Sequence, residues 1–252
     1  VAVKRGLFVA PFDELVDPRL LGELARTAEA RGWDGFFLWD HVNYRPPVRA
    51  VADPWVALAA IACATEKLRL GPMVTPLSRR RVHKLARETV TLDQLSRGRL
   101  TLGVGLGSDR NGELEPFGEV VDARARALLL DEGLEQLNAF WDGGFEPRPR
   151  QQPRIPVWVA ARWPNRRPLL RAARWDGLFP IDLPGPDALA ELADEVRGLR
   201  AANNSAFDLV IEIPPGADVD GWASAGATWV LTAFGSRPRE AEVRQAIDAG
   251  PR

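Results

Sequence analysis

The sequence predicts an α/β fold: one closed (β/α)8 barrel, the TIM barrel, spanning residues 1–252 as a single domain. Three observations carry that expectation. Short apolar runs alternate eight times with segments of helical period. A chain of 252 residues is a usual length for one such barrel. No linker, low-complexity segment or internal repeat divides it. A doubly wound open sheet is the alternative that would use the same elements.

The first strand is Gly6 to Ala10, broken by Pro11. Asp17-Pro18 starts a helix with proline in its first turn, and Leu21, Leu24, Ala25 and Ala28 form its apolar face up to Gly32. Phe36 to Trp39 is the second strand and ends in Asp40-His41. Asp53-Pro54 opens the second helix. Leu68 to Val74 is the third strand, closed by the breaker Thr75-Pro76. The following helix carries Leu85, Leu92 and Leu95 on one face and stops at Gly98, where a left-handed residue suits a helix end. Leu100 to Val104 is the fourth strand, with glycine at 103, 105 and 107. Such glycines let a flat ligand approach the backbone, although strand–helix packing would use them equally well.

A loop over 108–121 leads to a long helix capped by Asp122, with Ala127, Leu130, Leu134, Leu137 and Trp141 inward. Residues 142–154 are proline-rich and read as a surface connection. Ile155 to Ala160 is a fifth strand, Pro164 to Arg174 a fifth helix and Asp176 to Pro180 a sixth strand. Leu189, Leu192, Val196 and Leu199 mark the sixth helix, and Phe207 to Ile213 the seventh strand. A short helix around Trp222, a strand from Thr228 to Phe234 and a helix from about Pro238 to Ala249 complete the series.

Composition removes several function classes. With 33 basic against 34 acidic residues, nothing favours nucleic acid or an anionic membrane as partner. No apolar run reaches the ~18 residues of a membrane span, and no signal peptide is expected before the first strand. The single cysteine, Cys63, allows no internal disulfide, which fits the expectation of a cytoplasmic protein. It lies in the apolar helical run WVALAAIACATE, where a buried, unreactive thiol is expected. The wealth of alanine, arginine and glycine suggests a GC-rich bacterial genome.

In such a barrel the working face is the carboxyl end of the strands. That rule selects Phe12, Asp40, His41, Thr75, residues 105–108, Arg162, Ile181, Asp182, Glu212, Phe234 and Gly235. Only two histidines, His41 and His83, occur, so a histidine-rich metal site is excluded and no metal is expected. None of the lysines Lys4, Lys67 and Lys84 falls at a strand end, which argues against Schiff-base chemistry. What remains is apolar walls, glycines, one histidine and several arginines. That set suits a planar cofactor whose anionic tail reaches arginine-bearing loops.

The segments DGFFLWDH, GPMVTPLSRR, KLARETVTLDQLSRGRLTLGVGLG, ELEPFGE and VWVAARWPNRRPLLRAARWDGLFP together resemble the bacterial-luciferase-like superfamily of flavin- and deazaflavin-dependent oxidoreductases. The resemblance covers nearly the whole chain. It implies a (β/α)8 barrel with the isoalloxazine ring over the mouth, beside a bulge with a non-proline cis peptide at the end of strand three. Here that place corresponds to Pro72-Met73, with Thr75 just beyond. His41, after Asp40, matches a strand-two histidine that serves as acid/base or substrate contact, a role suited to an imidazole near neutral pH. A hydrogen-bonded structural histidine is the plainer reading. Gly105, Leu106 and Gly107 match the segment lying against the ring. Arg162 and Arg166, on the loop after strand five, stand where relatives grip the cofactor phosphate. Arg79, Arg80 and Arg81 read as a solvated helix start.

The resemblance implies an oxidoreductase using reduced flavin mononucleotide (FMN) to oxygenate a small organic substrate. The alternative is hydride transfer with the deazaflavin coenzyme F420. A non-catalytic flavin-binding accessory protein, and a hydrolase or lyase on the same barrel, are readings of other classes. Ser108-Asp109 stands where sugar-oxidising deazaflavin members carry glutamate, which argues against carbohydrate oxidation. A homodimer is a further implication of the resemblance, although core packing would account for most of the nine tryptophans.

Overall fold

The computed structural model describes residues 2–203 and 205–251. Strands β1 (Lys4–Val9), β2 (Gly35–Leu38) and β3 (Arg69–Pro72) alternate with helices α1 (Pro18–Ala30) and α2 (Pro54–Ala64). The short β4 (Thr75–Pro76) precedes α3 (Val82–Leu95), β5 (Leu102–Gly105) and α4 (Ala123–Ala139). Then come β6 (Val157–Arg162), α5 (Arg167–Ala172), β7 (Gly177–Ile181) and α6 (Pro186–Leu199). The chain finishes with β8 (Asp208–Ile213), α7 (Asp220–Ser224), β9 (Trp229–Ala233) and α8 (Glu240–Ala249).

All strand pairs are parallel, in the order β3-β2-β1-β9-β8-β7-β6-β5-β4. The sheet is a nearly closed barrel. Nine strands replace the expected eight because the third barrel strand is cut in two. Its lower part, β3, follows β2 and meets the chain before β5 through a single Leu70–Leu100 bridge. Its upper part, β4, pairs Thr75 with Val104 and Pro76 with Gly105.

Sequence dictates much of this locally. The side chains of Asp17, Asp53 and Asp122 each accept a backbone N–H in the first turn of the helix they precede, filling an orphan donor. Along the strands, alternate residues face in and out. Outward residues such as Leu7, Val9, Leu38, Val157 and Ile211 pack under the helices. Inward ones fill the barrel: Phe8, Phe37, Met73, Trp158, Phe179, Val210, Trp229 and Leu231 form one buried cluster. The rings of Phe37, Trp158 and Trp229 stand 5.2–5.7 Å apart. Gly35 makes room for them, since a Cβ there would lie 2.6 Å from the Phe37 ring. Trp33, Trp55, Trp141 and Trp175 are buried as well, so core packing accounts for six of the nine tryptophans.

Four local expectations are corrected. Cys63 is exposed. It shares the outer face of α2 with exposed Val56, seven residues or two turns earlier, while Leu58, Ile61 and Ala62 face the barrel. Leu95 is also exposed, unlike Leu85 and Leu92; ten residues beyond Leu85 it points about 80° away round the helix. Arg126, not Ala127, continues the buried stripe of Leu130, Leu134 and Leu137 on α4. The fifth helix is also shorter than its pattern implied, because Trp163-Pro164 and Asn165 form a turn before it. No helix among the described residues is long and apolar enough to cross a membrane.

Candidate active site at the carboxyl end of the barrel

Asp40 and His41 leave the end of β2 in opposite directions. Asp40 turns outward and is wholly buried, with a side-chain exposure of 0 %. Its carboxylate accepts hydrogen bonds from Trp55 Nε1 (3.2 Å), Thr75 Oγ1 (2.7 Å), Arg79 Nη2 (2.9 Å) and Arg80 Nη2 (2.9 Å). Arg79, only 6 % exposed, also donates through Nη1 to Glu113 at 2.7 Å. Glu113 in turn meets His41 Nδ1 at 2.8 Å and accepts the Val42 N–H at 3.1 Å. Two carboxylates therefore face two guanidinium groups in one buried network, and the balance offsets the cost of desolvating them. The first two arginines of the 79–81 run are thus buried partners of strand-end carboxylates. Only Arg81 is the solvated helix start that the sequence implied for all three.

Burial by itself would push the Glu113 carboxyl up. The hydrogen bond and charge of His41, the Arg79 charge and the Val42 N–H outweigh it and hold the carboxyl below its ordinary value. Ionised, it can only accept, so the proton of the shared bond resides on Nδ1 and Nε2 is the free nitrogen of His41. The ring of His41 is packed by Phe12, Trp39 and Tyr44 at 5.1–5.8 Å. Its side chain remains 23 % exposed. It is a fixed imidazole with one edge open.

The floor of the mouth is apolar. Trp39, Val74, Ala160, Ile181 and Ala233 lie partly exposed above the buried interior cluster. A non-proline cis peptide joins Met73 to Val74, one residue later than the Pro72-Met73 position expected, and coincides with the break between β3 and β4. Pro72, Met73 and Thr75 are buried beneath or behind this floor. The β5 glycines make room for the broken strand. A Cβ on Gly105 would sit 2.8 Å from Val74 Cγ2, and one on Gly107, whose φ is +68°, would sit 2.8 Å from Pro76 Cβ. Leu106 between them is half-buried against the outer core.

Arg162 is the last residue of β6 and Arg166 caps α5, not both on the loop expected, and both already have partners. Arg162 pairs with Asp182. Arg166 pairs with Glu191 (3.2 Å) and Glu195 (3.4 Å) and stacks on Trp163. By contrast Arg126, one turn into α4 and only 7 % exposed, leaves Nε and Nη1 buried without a partner among the described residues. Trp39 Nε1 is one of several other buried donors with none, Arg79 Nε, Arg80 Nε and Trp229 Nε1 among them. On the far side of the mouth Glu212 points inward from β8. Burial pushes its carboxyl up, and the Arg162 charge opposes that only in part.

Sequence reasoning found Asp40, His41 and Thr75 through the strand-end rule. Glu113 and Arg126 were missed. Glu113 lies in the aperiodic 108–121 loop, and Arg126 looks like any polar residue in an arginine-rich first turn.

The model of the luciferase-like monooxygenase family matches residues 8–220. The chain belongs to that family. A phthiodiolone/phenolphthiodiolone dimycocerosates ketoreductase of Mycobacterium sp. (strain JLS) is 32% identical over 225 residues, covering 74% of this chain. The match spans 57% of the length of that ketoreductase. Among solved structures, the coenzyme F420 dependent tetrahydromethanopterin reductase from Methanopyrus kandleri aligns with a TM-score of 0.77 and 16% identity, covering 98% of this chain and 97% of that one. Monooxygenase RslO1 from Streptomyces bottropensis aligns with a TM-score of 0.76 and 17% identity, over 98% and 97% of the two chains. These two likenesses speak to the fold. The first of the two is named for coenzyme F420 and the second as a monooxygenase.

Proposed function

We propose that this luciferase-like chain catalyses hydride transfer with coenzyme F420 between the carbonyl and alcohol forms of a small, largely apolar substrate. The observation that carries the reading is the His41–Glu113 pair, held at 2.8 Å at the rim of an apolar floor. Carbonyl reduction adds one hydride to carbon and one proton to oxygen. Doubly protonated, the fixed imidazole would give that proton from Nε2; neutral, with its proton on Nδ1, it would take one at Nε2 from an alcohol in reverse. The similarity to a ketoreductase supports the same class of reaction.

The residues fit a tricyclic cofactor with an anionic tail. The floor of Val74, Ala160 and the 105–107 backbone would lie against the ring, above buried Pro72, Met73 and Thr75. The unpartnered Trp39 Nε1 would donate to a ring carbonyl or to substrate, and the orphan guanidinium of Arg126 calls for an anion such as the phosphate. Arg162 and Arg166 would serve there only by giving up their carboxylate partners. Bound in this mouth, the deazaflavin would supply or accept the hydride, whereas reduced FMN would supply oxygen chemistry. Asp40 does not touch the ring in this reading; it holds Arg79, which holds Glu113.

The second reading is monooxygenation with reduced FMN, because the same apolar floor accepts an isoalloxazine and the matched family is described by that activity. Titration with F420 and FMN, each oxidised and reduced, monitored by tryptophan fluorescence, separates the two. Selective F420 binding is the expected result, and selective binding of reduced FMN would replace the first reading with the second. His41→Gln should then lower kcat for carbonyl reduction by about 10²–10⁴-fold without weakening the cofactor. An unchanged kcat would remove His41 from the chemistry. Tight cofactor binding with no turnover of any carbonyl or alcohol would favour an accessory protein.

A further inference from the structure

A larger cleft lies at the other end of the barrel, away from the proposed reaction. It opens between the last turns of α6 and the starts of β8 and β9, with a volume of about 370 Å³. That falls in the range of small-molecule sites. One wall is apolar, built by Val196 of α6, by Phe207 just before β8 and by Leu209 on it. Gly226, with a φ of +102°, turns the chain towards β9 and adds no side chain to the space. The charged lining is of one sign: Arg197 and Arg200, with no Asp or Glu among the described residues.

Arg200 decides what the cleft takes. It ends α6 and is only 8 % exposed. Nη1 donates to the carbonyls of Ala173 (2.9 Å) and Trp175 (3.0 Å), and Nη2 to Ser205 O (3.0 Å) and Oγ (2.8 Å). Neutral acceptors therefore hold four of its five N–H groups. The fifth, on Nε, makes no hydrogen bond among the described residues and is not one of the buried orphan donors, so it opens on the cleft. The guanidinium lies over the Phe207 ring at 4.6 Å, which sets the charge beside the apolar wall. Arg99, buried to the same degree, is the contrast. All five of its donors meet Ser96, Thr65, Leu68 and Ala62, and the charges of Glu29 and Glu66 face it. Arg200 has no carboxylate partner among the described residues, and carbonyl dipoles satisfy its donors without cancelling its charge. Arg197, one turn earlier, stands at the exposed rim in a solvated pair with Asp194. We infer that this cleft binds a small organic monocarboxylate with an apolar body. The carboxylate accepts from Arg200 Nε and faces Arg197, and the body lies against Phe207, Val196 and Leu209. A neutral isostere would forgo the charge-assisted bond. A strongly hydrated dianion such as phosphate would lose its water against an apolar wall without repayment.

The inference is independent of the mouth and of the cofactor, because the two sites stand at opposite ends of the barrel. Its test is a titration of the nitrogen-15-labelled protein with 2-naphthoate, 2-naphthamide and inorganic phosphate, followed by backbone amide shifts in NMR spectra. Wild type, Arg197→Glu and Arg200→Lys are compared. Naphthoate should bind the wild type with a Kd of about 1 mM or tighter, and naphthamide about tenfold more weakly. The amides of Ser205, Leu209 and Gly226 should move, and those of residues 105–107 at the mouth should not. Arg200→Lys keeps the charge, loses the Nε donor and should weaken naphthoate about tenfold. Arg197→Glu, at a rim where folding is not at stake, should weaken it at least about threefold. Should Arg200→Lys fail to fold for want of its carbonyl bonds, Arg197→Glu and the naphthamide comparison decide alone. Equal affinity for naphthoate and naphthamide, phosphate as tight as naphthoate, or unchanged affinity in Arg197→Glu would each overturn the inference. So would shifts gathered at 105–107, or none at 205, 209 and 226.

Discussion

Asp40 and Glu212 both stand at the carboxyl end of a barrel strand, and they have opposite surroundings. Asp40 is enclosed by four donors, two of them guanidinium groups, of which Arg79 also reaches Glu113. Glu212 has an apolar floor, a small cleft and no hydrogen bond among the described residues. The difference separates scaffold from reactive surface. A carboxylate whose lone pairs are all used holds other residues still, and here it fixes Arg79, hence Glu113, hence His41. A carboxyl with none used is free to meet a ligand. The β2–β5 side of the mouth is rigid and charge-balanced, and the β8 side is apolar and unfinished.

The largest expected effect comes from breaking the enclosed side. Asp40→Ala strands the Arg80 guanidinium, takes from Arg79 one of its two carboxylates and leaves Thr75 and Trp55 without their acceptor, and should cost about 3–5 kcal/mol, read as a lower urea midpoint at unchanged m. A loss below ~1 kcal/mol would mean that water reaches those arginines and that the network is no rigid support for His41.

A smaller effect is expected at Glu113, because Glu113→Gln leaves Arg79 its bond to Asp40. The cost should be about 1–3 kcal/mol at neutral pH. Its pH dependence gives a sharper check. The folded Glu113 carboxyl lies below its ordinary value, so it binds its proton less tightly folded than unfolded. The stability it contributes is complete above the ordinary glutamate pKa of about 4.3 and is lost as pH falls through the lower folded value. The gap between wild type and variant should therefore be flat near neutrality and shrink only in acid. A gap that persists undiminished through that acid range would show that charge on Glu113 is not what holds the pair.

The barrel was legible in the sequence because its signals are local: the strand period, the Asp-Pro helix starts and the glycines at 98, 105 and 107 each lie within a few residues. His41 and Glu212 were legible as strand ends for the same reason. The network was not. His41 meets Glu113 across 72 positions and Arg80 meets Asp40 across 40, and no periodicity connects such pairs. A run of three arginines looks solvated until the carboxylates that bury two of them are in place. Cys63 shows the converse failure, since an apolar window cannot tell which face of its helix a thiol occupies.

The smallest effect is expected on the open side, and its sign is reversed. Glu212 is pushed up, so the folded protein holds this proton more tightly than the unfolded chain does. From the ordinary glutamate value of about 4.3 up to the raised folded value, the unfolded state ionises first, and stability falls as pH rises. Glu212→Gln removes that loss while keeping the shape and a donor. It should match the wild type in acid and exceed it at neutral pH by ~0.5–1 kcal/mol, a gain of the size usual for relieving a site kept for function. Thermal melts of the two proteins across pH 4–8 read the difference directly. If Glu212→Gln is instead the less stable protein at neutral pH, Glu212 has a structural partner, and the contrast with Asp40 fails.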